Sequence, residues 1–75
     1  MNLNQAILGR TYRVRSVGGG ALLARRLMEM GVFEGQNLLY IRQAPLGDPL
    51  EIEVDHTLLV LRRREALHVE LEELA

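Results

Sequence analysis

His68, Glu70 and Glu72 are the residues of this chain whose types and spacing come nearest to a chemical site. They recur at every second position, so on an extended strand they share one face about 7 Å apart. Imidazole nitrogen and carboxylate oxygen together suit divalent iron, manganese or zinc. Donors strung along a straight strand diverge rather than converge, however, and a solvated acidic face is the commoner meaning of such a pattern. His56, beside Asp55, reads as a hairpin-turn residue rather than a ligand. Gly18-Gly19-Gly20 stands between a strand and a helix, where a phosphate loop would lie. A dinucleotide fingerprint would need a further glycine where Leu23 stands, and a chain without lysine has no Gly-Lys-Ser/Thr. The three glycines are read as a flexible linker into the helix. Ser16, the only serine, has no activating base near it in sequence. With no cysteine, a thiolate zinc site, a disulfide framework and thiol catalysis are excluded together. The expectation is a protein that is not an enzyme, with no cofactor and no assigned metal ligands.

Composition narrows the remaining classes. Seventy-five residues make room for a single domain spanning 1–75, and 48% apolar content supplies a core. Aromatics are only 4%, so that core is built from branched aliphatics. Nine basic residues face ten acidic ones, for a net charge of −1. Binding nucleic acid by neutralising phosphates wants a basic excess, so no nucleic-acid partner is expected. No segment approaches the ~18–20 apolar residues of a membrane span, and Met1–Leu8 is no secretory signal. The natural setting is therefore the cytoplasm.

The elements follow from hydrophobic period. Residues 1–9 show none. From Arg10 to Val17, Tyr12 and Val14 alternate with Arg13 and Arg15, the pattern of a half-buried strand. Ala21 to Met30 is a helix with Leu23, Leu27 and Met30 on one stripe, ended by Gly31. Further strands are expected over 36–43, 50–54, 57–61 and 67–71. Ala44-Pro45-Leu46-Gly47-Asp48-Pro49 forms a stiff turn between the second and third, Asp55-His56 a two-residue hairpin turn, and 62–66 a short helical turn. The near-continuous apolar run 57–61 suggests a central strand. Five short strands with one early helix close most economically into a small barrel, so the fold class is mainly β. If the first and last strands are antiparallel neighbours, Arg13 and Arg15 face Glu70 and Glu72.

With catalysis set aside, function falls to surfaces. Leu22 lies off the buried stripe beside Arg25, Arg26 and Glu29, and Leu46 tips the Pro45–Pro49 turn next to Asp48. Leu58 and Val60 point opposite to Leu59 and Leu61, so all four cannot enter one core. Together these leave room for a protein-contact surface. Arg62-Arg63-Arg64 has Glu65 beside it and no interleaved aromatic, and is read as a solvated corner.

The stretch Ala44-Pro45-Leu46-Gly47-Asp48-Pro49-Leu50 resembles the ferrous iron transport protein A (FeoA) family. The likeness continues through Leu27-Met28-Glu29-Met30-Gly31 with Gly35, and through Leu58-Leu59-Val60-Leu61-Arg62 with Glu65-Ala66, so that it runs from Arg10 to Glu72. The resemblance implies an SH3-like five-stranded small barrel with a short helix inserted after the first strand. It implies a non-catalytic cytosolic accessory of bacterial ferrous iron uptake that contacts the GTP-binding domain of the membrane transporter FeoB. The expected contact residues are Leu22, Arg25, Arg26 and Glu29 on the helix, with Pro45, Leu46 and Asp48 on the turn. A weak homo-oligomer is compatible with such a surface. The alternative is a divalent-metal-sensing domain using His68, Glu70, Glu72 or His56, akin to the C-terminal domain of iron-dependent repressors. A nucleic-acid-binding barrel is a third reading, disfavoured by charge.

Overall fold

The computed structural model describes residues 1–74. A short 3-10 turn, Leu3–Gln5, precedes five strands: β1 (Thr11–Val17), β2 (Asn37–Gln43), β3 (Leu50–Val54), β4 (Thr57–Leu61) and β5 (Val69–Glu73). Helix α1 (Ala21–Glu29) follows β1, and the four-residue α2 (Arg63–Ala66) joins β4 to β5. All pairings are antiparallel, in the order β4-β3-β2-β1-β5. The sheet curls around a core of aliphatic side chains plus Tyr12 and Tyr40, as the alternation in β1 and β3 requires.

The helix ends where its sequence says it should. Gly31 adopts φ +100°, its N–H donates to the Met28 carbonyl, and the Val32 N–H reaches back to Leu27 at 2.8 Å. This is a Schellman closure, with buried Leu27 and Val32 as its apolar contact. The Asp55-His56 turn is likewise as expected. Both residues have positive φ (51° and 64°), and Val54 faces Thr57, which makes a type I′ hairpin and settles the register of β4.

Several expectations are corrected. The segment before β1 is ordered by contact rather than by period: Asn2 caps the 3-10 turn and Leu3 is fully buried. The glycine cluster is not a loose linker. Gly18 N–H donates to the His68 carbonyl at 2.8 Å, and a Cβ on Gly19 would lie 2.7 Å from Leu23 and 2.8 Å from the His68 ring. Gly19 also has φ +81°, so side-chain room and backbone both demand glycine there.

β4 is an edge strand, not a central one, because β3 is its only ladder partner among the described residues. Its apolar run is continuous because Leu61 and, in part, Leu59 enter the core while Leu58 and Val60 stay about half exposed. Leu67 does not begin the last strand; it caps α2 and is exposed, and β5 starts two residues later. Arg13 faces Glu72 as expected, but a bulge between Val14 and Ser16 places Ser16, not Arg15, opposite Glu70.

Candidate functional site

The strip of α1 singled out by its period is a surface. Leu22, Arg25, Arg26 and Glu29 lie three or four residues apart and, with the edge of Leu23, line one shallow groove. Leu22 is 85% exposed, well above the ordinary for a leucine on an amphipathic helix. The two arginines differ. Arg26 Nη2 donates to Glu65 Oε2, tying α1 to α2. Glu65 is the single buried charged residue of the described chain, and its other oxygen accepts the Arg62 N–H at 2.9 Å. Arg25 has no ion-pair partner among the described residues. Glu29 is likewise exposed and without an ion-pair partner among the described residues, so Leu22, Arg25 and Glu29 are the members of the strip free to contact something else.

The second candidate, the Pro45–Pro49 turn, is held from behind. Gly47 has φ +88° and its N–H closes onto the Ala44 carbonyl at 2.7 Å, while the Ala44 N–H donates to Pro49 at 3.0 Å. Asp48-Pro49 is a cis peptide. Arg63 fixes the whole turn: its Nε donates to the Gly47 carbonyl, its Nη2 to Gln43 Oε1, and its backbone N–H to Asp48 Oδ1 at 3.0 Å. Asp48 thus spends one carboxylate oxygen inside the protein, whereas Leu46 stands 98% exposed at the tip. Rigid backing under an exposed apolar side chain reduces the ordering entropy that a partner must overcome.

Arg63 is the residue that sequence reasoning missed. Among three adjacent arginines it alone turns inward, also bonding Asn4 Oδ1 through Nη1 while its carbonyl accepts from Asn4 Nδ2. No local signal separates it from Arg62 and Arg64. Glu65 had a weak signal, its place three residues after the residue whose N–H it caps.

The metal-donor face is dispersed. Glu70 accepts from the Met1 amine at 2.9 Å, Glu72 lies 4.0 Å from Arg13, and the His68 ring packs on Gly19. His56 sits apart, at the β3–β4 hairpin tip. No group of three or more histidine, cysteine or acidic side chains is placed to hold a metal ion among the described residues. On the outer sheet face Arg42 Nε donates to Glu51 Oε2 at 2.7 Å, and that carboxylate pushes the guanidinium further toward its charged form.

The FeoA domain model matches residues 1–73. The chain belongs to the FeoA family. FeoA from Chlorobium tepidum superposes with a TM-score of 0.92 at 39% identity, covering 100% of this chain and 71% of that one. FeoA from Stenotrophomonas maltophilia complexed with zinc, described as a prokaryotic SH3-domain protein, gives 0.81 at 32% identity, covering 96% of this chain and 89% of that one. The fold is accordingly SH3-like. A curated relative from Porphyromonas gingivalis, an Fe(2+) transport protein A/FeoB fusion protein, is 29% identical over 72 residues. Those residues are 96% of this chain and only 8% of that relative's length. ScaR with bound Zn2+, at 19% identity and a TM-score of 0.88, covering 99% of this chain and 37% of that one, shares the fold. FeoA domains are small accessories of ferrous iron transport rather than an enzyme family. No helix among the described residues is long and apolar enough to cross a membrane.

Proposed function

We propose that this FeoA domain supports ferrous iron uptake from the cytoplasm by docking on the GTP-binding domain of the FeoB transporter, performing no chemistry of its own. The contact centres on Leu22 and Arg25 of α1, with Arg26 and Glu29 at its border and Leu46 of the turn as a second point. The observation that carries this reading is an 85% exposed leucine beside an arginine without an acidic partner among the described residues, on a helix whose opposite stripe is committed to the core. An exposed apolar anchor flanked by charge is the anatomy of a contact surface. The Porphyromonas fusion supports the choice of partner, since joining two modules in one chain raises their effective concentration at each other's surface.

The test is co-purification with the transporter, with and without a GTP analogue. Leu22→Glu combined with Arg25→Glu is expected to abolish recovery while leaving the melting temperature unchanged. Arg26 is left intact, because its removal would strand the buried Glu65 carboxylate. Full recovery of the double variant would exclude the helix site, and Leu46→Glu run alongside reports on the turn.

A further inference from the structure

The two outer strands of the sheet end differently. Along β5 the free edge is occupied by the chain itself: Leu71 N–H donates to the Met1 carbonyl at 2.6 Å, and Asn2 bridges to Glu70. Nothing comparable lies along β4, which pairs with β3 alone among the described residues.

The register shows what that edge offers. In a type I′ hairpin the closing pair, Val54 with Thr57, exchanges both backbone hydrogen bonds, and such pairs then alternate along the ladder. Ile52–Leu59 and Leu50–Leu61 are therefore bonded pairs, while the N–H and C=O groups of Leu58 and Val60 point away from β3. The same two residues carry half-exposed apolar side chains, 50% and 52%, on the outer face. An edge strand with free backbone groups and aliphatic side chains invites another strand, and natural sheets usually protect such an edge with charge or proline.

We propose that a second copy of this chain adds to that edge, β4 against β4 about a two-fold axis through Leu59. Antiparallel pairing in this register sets Leu58 against Val60 of the second copy, and Val60 against its Leu58. The four outward N–H groups then meet four outward C=O groups, and the aliphatic side chains pair with each other. Charge selects the second copy over an arbitrary strand. One end of β4 is the hairpin tip with Asp55, with Glu53 beside it, and the other runs into Arg62 and Arg64. None of these four has an ion-pair partner among the described residues. Antiparallel addition lays the acidic tip of each copy level with the arginine corner of the other, twice by symmetry. Two five-residue strands make a small interface, so its dissociation constant should be on the order of 100 μM.

Sedimentation velocity of the chain from about 10 μM to about 1 mM tests this, with backbone NMR shifts recorded over the same range. The expected result is a rise from monomer to dimer, with concentration-dependent shifts concentrated at Thr57–Leu61, Asp55 and Arg62. Val60→Lys is expected to stay monomeric with an unchanged far-UV spectrum, since the half-exposed site accommodates the longer side chain while like charges oppose pairing. Asp55→Arg should weaken the dimer roughly two- to twentyfold, and adding Arg62→Asp in the same chain should restore it. A monomer throughout the range, a dimer indifferent to Val60→Lys, or shifts centred on α1 would overturn the proposal. The Leu22→Glu/Arg25→Glu variant leaves this edge intact and should dimerise normally, so the transporter contact and self-association fail independently.

Discussion

The covered edge and the open edge are the most instructive contrast in the molecule. β5 presents Glu70 and Glu72 outward and is sealed by residues 1–5, whose anchor is the fully buried Leu3. β4 presents Leu58 and Val60 outward and carries no such strap among the described residues. Protection and polarity thus go together on one side and are missing together on the other. Both borders belong to one sheet with one core, so overall stability does not account for the difference. What distinguishes them is whether the backbone groups of the outer strand are satisfied within the chain. On that view, β5 is part of the scaffold and β4 is a place where the scaffold accepts something.

The largest break in this contrast comes from the anchor of the covered side. Leu3→Ala empties a fully buried site and should cost about 2–5 kcal/mol, a large share of what a domain this size has to spend. The melting temperature should fall by roughly 10–30 °C. Hydrogen exchange should show the Leu71 amide losing protection well before the β3–β4 amides, because its acceptor is Met1. A fall of only one or two degrees would mean that the strap is an ornament. Next in size is Arg63→Ala, which severs the bonds from α2 to Gly47, Gln43 and Asn4 and so loosens the strap and the Pro45–Pro49 turn at once. Destabilisation of roughly 1–3 kcal/mol is expected, against less than about 0.5 kcal/mol for Arg64→Ala, read by denaturant melts. Equal effects from the two arginines would contradict the inward role of Arg63. The smallest effect sharpens the open side. His56→Gly relieves a left-handed φ at a non-glycine residue and should stabilise the β3–β4 hairpin by about 0.5 kcal/mol, leaving the β4 edge as it is.

Much of the architecture is legible along the chain because its causes are local. The Tyr12/Val14 alternation, the Leu23/Leu27/Met30 stripe, Gly31 at the helix end and the Asp55-His56 turn each act within a few residues, and each is found where its pattern puts it. The exposure of Leu22 was legible for the same reason, since a helix fixes which side chains share its buried stripe. The candidate contact surface was thus half visible. Its free members, Leu22, Arg25 and Glu29, could be named, but Arg26 and Asp48 could not be recognised as already engaged, because their partners lie 39 and 15 residues away.

The sequence alone determined the strands, the helix, the turns and the aliphatic nature of the interior, for these rest on side-chain period, on the backbone freedom of glycine and on the fixed φ of proline. Only the folded chain decided that a run of five apolar residues is a border rather than a centre. It alone picked one arginine of three to hold a turn in place, buried Glu65 against a helix far upstream, and seated an unpatterned N-terminus along β5. Each of those outcomes depends on which distant segments become neighbours. A residue's neighbours in space set its burial and its hydrogen-bond partners, and hydrophobic period carries no record of them.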